Sequence, residues 1–427
     1  MKSIHSRLLA ASTAGICLAW ASPGLAQVTS TTPTPTTTEE PAPVGVDLFP
    51  VKTTADFLDL TASLGYQGNP FFQDSRGGSV VARASARGIH SWRGELSRTS
   101  ISGFVEGSSY FNEYGLKTIF AVDGHHSRRV SENVTVYGSL GASGDISGQL
   151  SNRFLNTDPI IVDPALPPPP TDAYDPHFFS FTGKQYRLHG QVGASIRVSE
   201  RGSLSVSGGA QRILHTGSSI PDYTSLFGHV GYNHTLSERT SAGFSVSATR
   251  TNYDQSSDDT TIITPSANVR SQLSEDWFVN ASVGVSFSDV NRFGGSRKST
   301  NLTASGSVCN VGEENTFCAH ASRTTNSSGF SSLVTTTSAG VDWSHRFGTT
   351  SSIKLSAGYT HYDQDTVLNT KTSSSYWRGA ASYDRRLNLR LSAGVQGSVR
   401  AFSNPGPNPN TDFSGSAFIR YHLGDLG

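Results

Sequence analysis

Arg83, Arg87, Lys117, Arg187, Arg197, Arg270, Lys354, Arg378, Arg390, Arg400 and Arg420 stand in segments where apolar residues take every second position. Each falls on the polar alternate. In an extended chain, residues two apart share a face, so these cations would share the face opposite the apolar one. Acids on that face are few, with Glu106, Asp123 and Asp342 the clear ones, and most of its other residues are Ser, Thr, Asn and Gln. Such a wall around a hydrated passage would concentrate anions and deplete cations. The plainer reading is a set of charges that only pair among themselves.

Signs of other chemistry are sparse. The chain has no Gly-x-Ser-x-Gly, no His-Glu-x-x-His and no phosphate-binding loop. His125-His126 reads as a pair at a membrane interface rather than a metal site. Asp258-Asp259 and Asp363-Gln364-Asp365 read as solvated loop acids, with divalent ions bridging lipopolysaccharide as the sharper alternative. Ser and His are common enough that a rim site acting on lipid or peptide stays open as an enzymatic alternative. No catalytic residue, metal or cofactor is expected. Cys309 and Cys318 flank a short segment and could face each other across a hairpin, so a disulfide is expected if the chain is exported.

The elements that must position these residues are strands. From Tyr186 to Val198 the apolar set Tyr186, Leu188, Val192, Ala194, Ile196 and Val198 alternates with Arg187, His189, Gln191, Ser195 and Arg197. Soluble strands usually run about five or six residues, whereas a transmembrane strand needs roughly 9–11. Ser199-Glu200-Arg201-Gly202 then reverses the chain and the period resumes at Leu204. The unit recurs to the C-terminus. Strands are expected near 56–67, 78–90, 96–110, 115–127, 133–146, 184–198, 203–215, 223–236, 240–253, 261–273, 277–288, 299–310, 316–325, 333–345, 352–362, 375–384, 388–401 and 412–423. That is about eighteen, or sixteen if 96–110 and 316–325 do not form.

The connections support a barrel. Short charged turns, such as Ser199-Glu200-Arg201, Ser237-Glu238-Arg239 and Ser274-Glu275-Asp276, follow even-numbered strands. Longer ones, at 68–77, 147–183, 215–222, 254–260, 289–298, 363–374 and 402–411, follow odd-numbered strands. Outer-membrane barrels have short periplasmic turns and longer outer loops, and an even strand count puts both termini in the periplasm. Tyr232, Trp277, Trp343, Tyr359, Trp377, Tyr383 and Tyr421 lie near strand ends, as aromatic girdles do. Loop 147–183 carries Pro167-Pro168-Pro169-Pro170 and the acids Asp158, Asp163, Asp172 and Asp175. As the third outer loop it could fold inward and set these acids against the basic wall, or remain a surface lid.

Composition agrees. Only 35% of residues are hydrophobic and there are 43 glycines. The mean hydropathy is −0.30. A barrel explains such values because only alternate residues meet lipid. No segment has about twenty consecutive apolar residues, which excludes a helical bundle in the membrane. Residues 1–26 read as a secretory signal: Lys2 and Arg7 precede an apolar run, and Gly24-Leu25-Ala26 suits cleavage before Gln27. Residues 27–50, rich in Thr and Pro, read as a disordered periplasmic segment, and 51–427 as the barrel. The formal net charge of zero says nothing for nucleic acid.

The leader, the Pro-rich lead, the Ser-Glu-Arg turns and the terminal strand Phe413-Ser-Gly-Ser-Ala-Phe-Ile-Arg-Tyr-His-Leu423 together resemble the β-barrel porin 2 family of Gram-negative bacteria. The likeness covers roughly 50–427 and is one of pattern. It implies an outer-membrane porin, often found with exopolysaccharide or capsule genes. It therefore points to secretion of an exopolysaccharide, made anionic by the basic face, with a general diffusion porin for small anionic or polar solutes as the alternative. The partners implied are outer-membrane lipid and lipopolysaccharide, the barrel-assembly machinery and periplasmic polysaccharide-export proteins. One departure is the run Gly424-Asp425-Leu426-Gly427 after the last strand, where typical barrels end on an aromatic residue.

Overall fold

Alternation from the first strand to the last produces a closed antiparallel sheet. The computed structural model describes residues 54–70, 72, 77–111, 115–146, 184–217, 220–254, 258–292, 295–328, 333–365, 371–403 and 410–424. The expected signal, the Thr/Pro segment and loop 147–183 with its four acids lie outside them. Eighteen strands follow in chain order: β1 (Thr54–Gln67), β2 (Ser79–Arg93), β3 (Ser97–Tyr110), β4 (Gly115–Ser131), β5 (Val134–Ile146), β6 (Lys184–Arg197), β7 (Gly202–Thr216), β8 (Tyr223–Ser237), β9 (Thr240–Tyr253), β10 (Asp259–Gln272), β11 (Trp277–Arg292), β12 (Gly295–Val311), β13 (Asn315–Ser327), β14 (Leu333–Phe347), β15 (Ser351–Asp365), β16 (Lys371–Arg386), β17 (Leu391–Ser403) and β18 (Asn410–Gly424). Each pairs with its sequence neighbours, and β1 pairs with β18 to close the ring. Closure satisfies every edge, which is what a sheet in lipid requires. The segments 96–110 and 316–325, on which the choice between sixteen and eighteen strands turned, both form as β3 and β13.

Register carries one face around the whole ring. At the seam Leu60 meets Tyr421, Ala62 meets Ile419 and Leu64 meets Ala417. A slip of one residue would turn every one of these side chains to the other face. The apolar alternates are the exposed ones, among them Leu140 (73% exposed) and Val192 (69%). Side chains on the opposite face reach across to distant strands: Tyr253 Oη on β9 donates to the Ser328 carbonyl after β13. The apolar face is therefore the outside and the polar face lines the lumen. The expected girdle residues all stand on the outer face, some in pairs such as Tyr359 and Trp377, whose ring centroids lie 4.4 Å apart.

The strands run 13 to 17 residues, longer than the membrane needs. The excess lies at the long-connection end. There β11 and β12 continue to Arg292 and from Gly295, so the loop expected over 289–298 is only a two-residue connection. Asp289 and Lys298 face outward at this end and break the apolar period, which is why sequence reading ends the strands early. Polar outward residues are tolerated above the apolar band.

Cys309 and Cys318 sit directly opposite each other on β12 and β13 and are joined by a disulfide. They lie nine residues apart in sequence. Loop-entropy arguments give such a bridge at most about 2–3 kcal/mol. The hairpin is held on both sides by ladders, so the effect should be smaller. The Cys309→Ser/Cys318→Ser double variant is expected to keep the barrel and to shift its urea midpoint only slightly, as measured in detergent micelles.

Candidate functional site

The inner wall gathers most of the basic residues singled out from sequence. Arg83, Arg87, Lys117, Arg187, Arg197, Arg270, Lys354, Arg378, Arg400 and Arg420 all stand on lumen-facing positions of their strands. Arg390 does not: it lies in the turn between β16 and β17. Arg400 faces inward but is not open to the passage. It is 2% exposed and ion-paired with Asp412, which is fully buried. Sequence reading also undercounted the acids, since Asp59, Asp384 and Asp412 share the inner face.

Among the described residues, Arg87, Arg197, Arg270 and Arg378 have no acidic partner. Arg83 donates to the Gln67 side-chain oxygen at 2.8 Å and Arg187 to that of Gln211 at 2.9 Å. Arg420 lies over the Phe418 ring, 5.6 Å from its centroid. The contacts of Arg83 and Arg420 hold their guanidinium groups without neutralising them. Among the described residues the inner surface therefore carries an excess of positive charge over Glu106, Asp123, Asp342, Asp59 and Asp384.

At the long-connection end, Phe72 of the first outer loop packs against the inner wall. Gln67 ends β1 and its amide donates to Asp412 at 3.1 Å. The Asn69 backbone N–H donates to the same carboxylate at 2.6 Å. The chain then turns inward, and Phe72 adopts a left-handed backbone (φ 54°) that a non-glycine residue holds only when its surroundings enforce it. Here they do: Phe72 is buried with Val334, Tyr362, Tyr376 and Phe402, from β14 to β17. The Arg400 guanidinium lies 4.9 Å from its ring centroid. The carboxylate of Asp412 thus joins wall and loop, accepting from Arg400, Gln67 and Asn69 together. A second cluster, Ile213, Tyr223 and Tyr253, packs on the β7–β9 side of the same end. The surplus strand length seen above is what these two apolar clusters rest on.

Inward-facing glycines decide how far the wall intrudes. A Cβ on Gly358 would stand 2.8 Å from Arg378 Nε. A Cβ on Gly340 would stand 2.6 Å from His320 Nε2, and one on Gly141 would overlap Asp123 and His189. Each glycine lets a neighbour's long side chain lie flat. Gly141 also lets His189 and Asp123 meet at 3.2 Å from strands on either side of it. Gly358→Ala is expected to push the flexible Arg378 head into the lumen at little cost in folding. Single-channel conductance should then fall measurably while anion preference persists.

The other groups marked in sequence are accounted for. His125 faces in and His126 faces out, where its Nδ1 lies 2.7 Å from the Thr99 hydroxyl. Asp259 accepts from Arg250 and Asn291, both at 2.6 Å, and Arg292 stands 3.5 Å from Asp258. Asp363 lies 3.2 Å from His361. These outer acids are engaged with protein partners rather than standing as a cluster for a divalent ion. Among the described residues no group of three or more His, Cys, Asp or Glu could hold a metal. Just beyond β9, the Arg212 side chain bonds Asp254 and holds its carboxyl below the usual range. That contribution is present at neutral pH and is lost only as pH falls through the lowered value.

No family model matches the chain, and no curated protein matches it in sequence. Among solved structures it is similar to the FrpB iron transporter from Neisseria meningitidis (TM-score 0.47, 9% identity), over 83% of this chain and 62% of that one. It is similar to the outer membrane protein opdK from Pseudomonas aeruginosa (TM-score 0.44, 12% identity), over 86% of this chain and 98% of that one. It is also similar to a BenF-like porin from Pseudomonas fluorescens Pf-5 (TM-score 0.45, 13% identity), over 87% and 99%.

Proposed function

We propose that this chain is a passive channel of the Gram-negative outer membrane that favours anionic and polar solutes. The observation that carries the reading is the set of lumen-facing arginines with no acidic partner among the described residues, Arg87, Arg197, Arg270 and Arg378, inside a closed barrel with an apolar outer surface. Fixed positive charge on a low-dielectric wall raises the local anion concentration without any conformational step. Proteoliposomes carrying the protein should swell in isosmotic sugar-acid salts faster than in salts of organic cations of similar size. Equal rates for both would count against the basic wall as the selective element.

The finer reading is export of an anionic exopolysaccharide. The pattern shared with the β-barrel porin 2 family supports it, as does a lumen in which basic residues recur along the passage from Arg83 near the outer end to Arg420 near the other. A strain lacking the gene should retain polymer in the periplasm and release little. Normal release, with slower uptake of small anions, would favour the diffusion-porin alternative. Outer-membrane lipid and lipopolysaccharide on the apolar face, the barrel-assembly machinery, and export proteins at the short-turn end complete the proposal.

A further inference from the structure

The inner wall is divided. Its basic residues concentrate from β15 through β18 to β4, with Lys354, Arg378, Arg420, Arg87, Arg83 and Lys117. The wall across the lumen, β9 to β12, is different. Between Arg270 near one end and Arg292 and Arg297 near the other, its inner face carries no formal charge. Across β10 to β15 a single row runs Asn268, Ser282, Ser305, Ser322, Ser338 and Thr360, each directly opposite the next. Within the row Ser282 and Ser305 share a hydrogen bond of 2.8 Å, and so do Ser322 and Ser338. A hydroxyl has one donor and two acceptor sites. Each pair therefore keeps a donor and several acceptors for whatever occupies the lumen.

Arg87 on β2 lies half the ring away from Ser282 on β11, at a similar height above the short-turn end.

We propose that the lumen is matched to a polyhydroxylated anion, a chain or unit of sugar acids, which turns its carboxylates to the β15–β4 wall and its hydroxyls to the β9–β14 wall. The proposal rests on the channel reading above and adds to its anionic sugar solute an orientation in the lumen. Charge alone would not need the serine row, and hydroxyls alone would not need the arginines. A hydroxyl-free anion would satisfy one wall and leave the other hydrated.

The test uses the full barrel in a planar bilayer, with hexagalacturonate and hexa-aspartate as probes carrying one carboxylate per unit. Hexagalacturonate should occupy the pore about threefold to tenfold longer per event, the ratio of one net hydrogen bond. Replacing Ser282, Ser305, Ser322 and Ser338 together by alanine should abolish that difference and leave the KCl reversal potential unchanged. Equal residence of the two probes in the unmodified barrel would overturn the proposal while leaving the channel intact, and it requires no variant. Residence shortened equally for both probes by the alanine set would also overturn it. A barrel that conducts no ions at all would overturn the channel reading itself.

Discussion

Asp412→Ala is expected to open the outer mouth and to destabilise the barrel by about 3–5 kcal/mol, because it leaves Arg400 charged and buried without its partner. The same carboxylate accepts from Gln67 and from the Asn69 backbone, so its loss also releases the start of the first outer loop. Phe72 then has less to hold it in its left-handed conformation among Tyr376 and Phe402. Single-channel conductance should rise and the thermal midpoint should fall. Arg400→Met with Asp412→Leu separates the two effects. Replacing a buried ion pair by apolar groups of similar volume is often neutral for stability. This double variant should keep the midpoint near that of the unmodified protein and still conduct more, because the loop's polar attachment is gone. If conductance is unchanged in both variants, the first loop does not set the constriction.

Reversing the charge of the mid-lumen arginines that have no acidic partner among the described residues should have the second large effect. Arg87 and Arg378 sit near the middle of β2 and β16 and face inward. Arg87→Glu and Arg378→Glu each change the wall by two charges where the field is least shared with solvent at the ends. Together they are expected to lower the chloride-to-potassium permeability ratio roughly tenfold, the scale of local concentration that a charged cleft sustains. In about 1 M salt the effect should shrink, since the Debye length is then about 3 Å. The Arg400→Met/Asp412→Leu double variant should change selectivity little, because the ion pair it removes is already neutral. A reversed order, with the Arg400–Asp412 pair dominant and Arg87 silent, would mean that the open passage follows another part of the lumen.

Much of this was legible in the sequence because barrels are written with the shortest period a chain has. Alternation places Arg187, Arg197 and Arg378 on one face without knowledge of any neighbour, and the turn lengths give the direction of each strand. What depends on distant partners was not legible. Asp412 reads as the polar start of a strand, and only the closed ring brings it to Gln67 and Asn69. The infolded loop left one local sign, Phe71-Phe72 in a segment expected to face water. The longer loop 147–183, with its proline run and four acids, is the more conspicuous in sequence and lies outside the described residues. Arg390 was misplaced for a related reason. The period continues through the last turn in sequence, but the backbone leaves the sheet between Arg386 and Leu391.

The central claim, an anion-favouring passage through the barrel, is tested most directly by the reversal potential of the purified full-length protein in a planar bilayer under a tenfold KCl gradient. The account predicts steady conductance with a reversal potential displaced toward the chloride equilibrium value, and a displacement that shrinks as salt rises. A potential displaced toward the potassium value, or a membrane that stays silent with the protein inserted, would contradict it.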